Sequence, residues 1–145
     1  MRVFAEPKVD AHCHVLDPAR FAYADDVAYR PAGQEIGTTA QYRRVMDAYG
    51  VRHALLVGPN SGYGLDNRCL LDAIAQGQGR FKGIAVVRND ASRDELLRLK
   101  AAGVVGVTCG TRPLHRRHVR RRAASASQAS PILPRGVSAP EGFED

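Results

Sequence analysis

No apolar run in this 145-residue chain approaches the length of a membrane span. Its opening, Met1-Arg2-Val3-Phe4-Ala5-Glu6-Pro7, lacks the apolar core of a secretory signal. A soluble, cytoplasmic protein without a membrane partner is the expectation. Cysteine is scarce: Cys13, Cys69 and Cys109 are odd in number, widely spaced and form no Cys-x-x-Cys. That excludes a disulfide framework and a zinc knuckle, and leaves reduced thiols. A phosphate-binding signature is missing as well. Gly58-Pro59-Asn60-Ser61-Gly62-Tyr63-Gly64 lies between a predicted strand and a predicted helix, but matches neither Gly-x-Gly-x-x-Gly nor the Lys-Ser/Thr ending of a P-loop. No aromatic residues interleave the basic run Arg116-Arg117-His118-Val119-Arg120-Arg121-Arg122, and no helix-turn-helix pattern surrounds it. Clustered arginines attract phosphates, but nothing here reads bases, so no specific nucleic-acid partner is expected.

Hydrophobic residues make up 44% of the chain and charged residues 25%, which suits one ordinary globular domain. The net charge of +6 is unevenly spread. Residues 1 to 107 carry 14 Lys/Arg against 12 Asp/Glu, whereas residues 108 to 145 carry 7 Arg against 3 acids. The two parts differ in more than charge. From Thr108 onward the sequence turns to Arg, Ala, Ser and Pro with few large apolar residues, too few to offset chain entropy by burial. Residues 108 to 145 are therefore read as a disordered or out-of-frame basic tail, with disorder expected from about residue 110.

The first 107 residues alternate strand and helix signals. Lys8 to Val15 reads as a strand. A stretch punctuated by Pro18 and Pro31, without sustained periodicity, reads as about 20 residues of ordered loop. Thr38 or Thr39 caps a helix reaching Tyr49, with Gly50 as its stop. Arg52 to Val57 is a buried strand. Asp66 is a plausible cap for a helix to Gln76, and Phe81 to Val87 is another strand. Ser92-Arg93-Asp94-Glu95 opens a helix through Ala102, and Val104 starts a fourth strand. The spacings suit right-handed crossovers in a parallel sheet, hence an α/β fold. Two architectures remain open: a Rossmann-like sheet, or the first half of an eight-stranded barrel that needs about 250 residues in all.

The chemistry concentrates in Lys8-Val9-Asp10-Ala11-His12-Cys13-His14-Val15. Strict strand alternation places Asp10, His12 and His14 on one face and Val9, Ala11, Cys13 and Val15 on the other. Two imidazoles from alternate residues can converge on one metal ion or one substrate group. Such a pair also occurs as hydrogen-bonded filler in half-buried strands, so the surrounding pattern has to decide.

That pattern resembles the amidohydrolase superfamily, whose signature is Asp-x-His-x-His, and within it the branch of 2-pyrone-4,6-dicarboxylate lactonases. The residues carrying the resemblance are Val9 to Val15, Tyr29-x-Pro31, Ser61 to Asn67, Leu71 to Ala75, Gly83 to Val87 and Gly103 to Val107. It implies an incomplete TIM (β/α)8 barrel, its first three to four βα units lying in residues 1 to 107. It also implies hydrolysis of a cyclic ester of a dicarboxylic acid, so the expected partner is a small-molecule carboxylate substrate. His12 and His14 would be the catalytic pair at the barrel mouth. In the lactonase-like branch they would polarise the substrate carbonyl with no cofactor; alternatively they would ligate one divalent metal such as zinc. Tyr29 and Ser61 fall where the family contacts substrate. A decarboxylase of the same superfamily shares the barrel and the His-x-His opening.

At Thr108 the family usually has an arginine. The later arginines, a middle-strand histidine and the water-activating aspartate have no counterpart after it, so a chain of this kind is expected to be inactive alone. Four strands without closure would also leave unpaired barrel edges, from which self-association is expected.

Overall fold

In the computed structural model, which describes residues 6 to 110, four strands form one parallel sheet in the order β1-β2-β3-β4. They are β1 (Lys8–Cys13), β2 (Val51–Val57), β3 (Phe81–Val87) and β4 (Val104–Cys109). Each strand lies beside its predecessor, joined through the helices α1 (Thr39–Tyr49), α3 (Arg68–Gln76) and α4 (Arg93–Ala101). An irregular turn, α2 (Asn60–Tyr63), follows β2. This stepwise order, without the reversal of a doubly wound sheet, is that of successive barrel units. The chain is α/β. The expected disorder and foreign origin of the tail concern residues outside those described, apart from Thr108 and Cys109, which complete β4, and Gly110, whose N–H donates to the Val87 carbonyl at 2.9 Å.

The helix boundaries follow local chemistry. Thr38 accepts the Gln41 N–H at α1, and Gly50 ends that helix at φ +69°, a conformation glycine adopts without a Cβ penalty. Ser92 accepts the Glu95 N–H at the start of α4. At α3 the expectation needs adjustment. The helix begins at Arg68, and Asp66 accepts the Arg68 N–H from just ahead of it. Asn67, between them, turns its amide elsewhere: Nδ2 donates to the Val86 carbonyl at 2.7 Å, and Oδ1 accepts the Val86 N–H at 2.9 Å. One side chain thus pairs with β3 as a strand residue would.

The core lies between the sheet and its helices. Phe81, Met46 and Leu56 are among its fully buried side chains, and Ala54, Leu70, Ala73, Ile74, Ala85 and Val87 complete its centre. The opposite face of the sheet, the lumen side, is less covered by the described residues. Consequently β2, read as buried on both faces, alternates between buried Ala54 and Leu56 and half-buried Leu55 and Val57.

β1 departs from strict alternation, and this corrects the face assignment. Asp10 pairs with Ala54 and Cys13 with Leu56, so three steps on β1 meet two on β2. That is a β-bulge, which reverses the phase of Val9 and Asp10, up to a second register shift between Lys8 and Val9. Asp10 therefore turns toward the helices, where it accepts the Tyr42 hydroxyl at 2.7 Å and the His12 N–H at 3.0 Å. Cys13 lies on the same side: its thiol donates to the Leu55 carbonyl, and burial raises its pKa. Val9, expected on the packing face, is 69% exposed. His12 and His14 keep a common face; Asp10 does not share it.

Candidate active site

His12 and His14 open into a cavity of about 510 Å³ at the C-terminal ends of the strands. The other lining residues that matter chemically are Glu35, Asn60, Ser61 and Thr108. Ends of several strands and the loops after them thus converge on one place, as active sites on parallel sheets require.

The two imidazoles are perpendicular, their ring centroids 5.0 Å apart. His14 Nδ1 lies 2.7 Å from the Val57 carbonyl oxygen. A carbonyl can only accept, so Nδ1 carries a proton, and in the neutral tautomer this selects, Nε2 holds the lone pair. His14 is thereby oriented by the end of β2. As neutral imidazole it offers the site an acceptor; to donate to a carbonyl it must be the imidazolium.

Ser61 comes from the turn after β2. The turn is irregular, with Ser61 extended and Gly62 at φ +76°. Gly62 is required twice over, because a Cβ there would come within 2.6 Å of the Tyr23 ring. Gly62 also donates its N–H to the Tyr29 carbonyl at 2.8 Å, and Ala24 donates to the Gly62 carbonyl at 2.8 Å. The long loop after β1 is stitched to the turn that carries Ser61. Its base is fixed by Tyr63, buried, whose hydroxyl accepts the Asp17 N–H at 2.9 Å.

Tyr29 is not itself among the cavity's lining residues but is bonded to one of them, at the rim. It is 52% exposed, and its hydroxyl donates to Glu35, at 2.5 Å from Oε1 and 2.6 Å from Oε2. Glu35 does line the cavity. Sequence reasoning missed Glu35, a lone acid in a loop whose neighbours carry no spacing signal. It also passed over Thr108 as a site residue, seeing there only a departure from a family pattern.

The donor set was tested against a metal. Among the described residues no group of three or more His, Cys, Asp or Glu is placed to hold an ion. Two imidazoles are one protein ligand short of a catalytic zinc centre. The described residues do not by themselves fit the metal alternative.

The comparisons with known proteins agree with this geometry. A family model described as amidohydrolase matches residues 9–135. The chain belongs to the amidohydrolase family. The match takes in both histidines, Ser61 and Thr108, and runs past Val107. A 2-pyrone-4,6-dicarboxylate hydrolase of Comamonas testosteroni is 36% identical over 100 residues, which is 68% of this chain and 32% of that protein. A 4-sulfomuconolactone hydrolase of Hydrogenophaga intermedia is 31% identical over 107 residues, 73% of this chain and 34% of that one. The chain thus spans about a third of the length of these curated relatives. Among solved structures, a probable 2-pyrone-4,6-dicarboxylic acid hydrolase of Acinetobacter baumannii with citric acid bound superposes with a TM-score of 0.61 at 35% identity. It covers 69% of this chain and 36% of that one. The three βα units and the fourth strand are therefore the opening part of a TIM barrel of the amidohydrolase type.

Proposed function

We propose that this chain is the opening part of a lactone hydrolase acting on a cyclic ester of a dicarboxylic acid, of the 2-pyrone-4,6-dicarboxylate kind. The observation that carries the reading is the pair His12 and His14. His12, on the bulged strand, and His14, just past its end, open into a cavity they share with Ser61, all within the residues the amidohydrolase model matches, in a chain similar to two lactone hydrolases. In this reading His12 and His14 polarise the lactone carbonyl, Ser61 contacts the substrate, and the Tyr29 hydroxyl receives a substrate carboxylate. The proposed reaction uses no resident cofactor, as the resemblance to the lactonase-like branch implies.

Water attack on the carbonyl needs a general base. Asp10 is on the helix side of the sheet with Tyr42, Asp66 is paired with Arg68, and Glu35 is engaged by Tyr29. The proposed base therefore lies in the part of the relatives' length that the described residues do not span. The 145-residue polypeptide is expected to leave 2-pyrone-4,6-dicarboxylate unhydrolysed. A chimera joining residues 1 to 107 to the remainder of the Comamonas testosteroni relative is expected to open it with uptake of base. Turnover by the polypeptide alone would show that the base is one of these three acids. Carbon dioxide release by the chimera would point instead to the decarboxylases.

Among the described residues β1 and β4 are edge strands, which supports a further proposal, self-association of the 145-residue polypeptide. Val9 on β1 is exposed, as are Val107 and, at 62%, Val105 on β4, with Leu96 and Leu97 of α4 also exposed. Exposed apolar residues beside unpaired strand edges are association sites. Sedimentation velocity is expected to show species larger than a monomer that grow with concentration; a monomer at all concentrations would refute this.

A further inference from the structure

Glu35 is bound more elaborately than a surface acid requires. It ends the short 3-10 turn Gly33–Glu35, and its Oε2 accepts the Ala32 N–H at 3.1 Å, an ordinary cap. The Tyr29 hydroxyl is no part of that cap. It comes from six residues upstream and sits over both carboxylate oxygens, at 2.5 and 2.6 Å. Glu35 also brings a negative charge to the cavity wall, where the lining residues among those described include no lysine or arginine.

We infer that Glu35 is a positioning residue of this site: its carboxylate holds the Tyr29 hydroxyl at the cavity rim and competes for it with any ligand carboxylate. The hydrogen bond exists in the structure, whereas the competition rests on reading the cavity as a carboxylate-accepting site. Chemically, Glu35 offers Tyr29 the same acceptor that an acid ligand would. Each group's ionisation reflects the bond. The Tyr29 hydroxyl, bound to Glu35, holds the carboxyl below the usual carboxylate range, with the Ala32 N–H adding to it. Glu35 in turn raises the pKa of the Tyr29 phenol.

The test uses the full chain with 13Cζ-labelled tyrosine, its Tyr29 resonance assigned by Y29F, in the parent and in E35Q. Two quantities are read: the pH at which Tyr29 titrates, and the response to citrate, a polycarboxylate probe. Tyr29 is expected to titrate at lower pH in E35Q, because the phenolate no longer faces an anion. Citrate is expected to bind E35Q roughly tenfold more tightly, the equivalent of one hydrogen bond to a charged group. An unchanged Tyr29 titration overturns the inference. So does a shifted titration with equal citrate affinity in both proteins, which would leave Glu35 a turn cap alone. A shifted titration with no citrate binding in either protein keeps Glu35 as the partner of Tyr29, and it is the carboxylate reading of the cavity that fails.

Discussion

Alanine at His14, introduced into the chimera that completes the barrel, is expected to lower kcat/KM for 2-pyrone-4,6-dicarboxylate by about 10²–10³-fold, the cost of one preorganised group at a developing oxyanion. Most of the loss should fall on kcat, because an interaction that strengthens as the carbonyl oxygen gains charge stabilises the transition state more than the bound substrate. The magnitude depends on preorganisation. The ring is oriented before substrate arrives, by the 2.7 Å bond from Nδ1 to the Val57 carbonyl, so little reorganisation is left to the reaction step. Steady-state kinetics with circular dichroism on the same samples is the check. A folded variant retaining activity within about threefold of the parent would remove His14 from the chemistry, since general polar catalysis accounts for far more than that.

Phe81→Ala is expected to cost about 3–5 kcal/mol of stability, the range for deleting a large aromatic from a packed core. Phe81 is only 1% exposed, stacks on Tyr42 with ring centroids 6.0 Å apart, and lies against the backbone of Gly77. A Cβ at Gly77 would come within 2.4 Å of the ring, so that end of α3 has no side chain with which to fill a cavity. Domains of this size have about 5–15 kcal/mol in total. The substitution should therefore bring the chain close to unfolding under ordinary conditions. Urea denaturation followed by circular dichroism should show the midpoint falling by more than about 1 M. A midpoint unchanged within error would mean that neighbouring side chains collapse into the space.

Legibility differed between fold and site for physical reasons. Strands β2 and β3 and helix α1 were readable because each is dictated by its own residues: apolar runs, a threonine cap, a glycine stop. The order of the strands follows from the same units, since a helix between neighbouring parallel strands leaves few topologies. Asp10 was placed on the wrong face because a bulge belongs to the pairing of two strands, and neither strand's sequence announces it. Glu35 was invisible for a related reason. Its place in the cavity depends on how a loop of irregular backbone folds against α2, and no periodicity governs such a loop. His12, His14 and Ser61, which line one cavity, were legible because His12 lies on β1, His14 just past its end, and Ser61 in the turn after β2. Tyr29 is tied to the site by its hydroxyl, through Glu35, and by its carbonyl, through Gly62.

The bulge in β1 has a mechanical side. By rotating Asp10 out of the lumen it converts a compact sequence motif into a structure that grips both surfaces of the sheet. The Asp10 carboxylate holds the backbone of His12 with one oxygen and the Tyr42 hydroxyl of α1 with the other. The histidine pair is thus riveted through the sheet to a helix that never touches the cavity. Strain applied to the outer surface at α1 has a two-bond path to the position of His12, and the acid of the motif transmits force where its sequence position suggested chemistry.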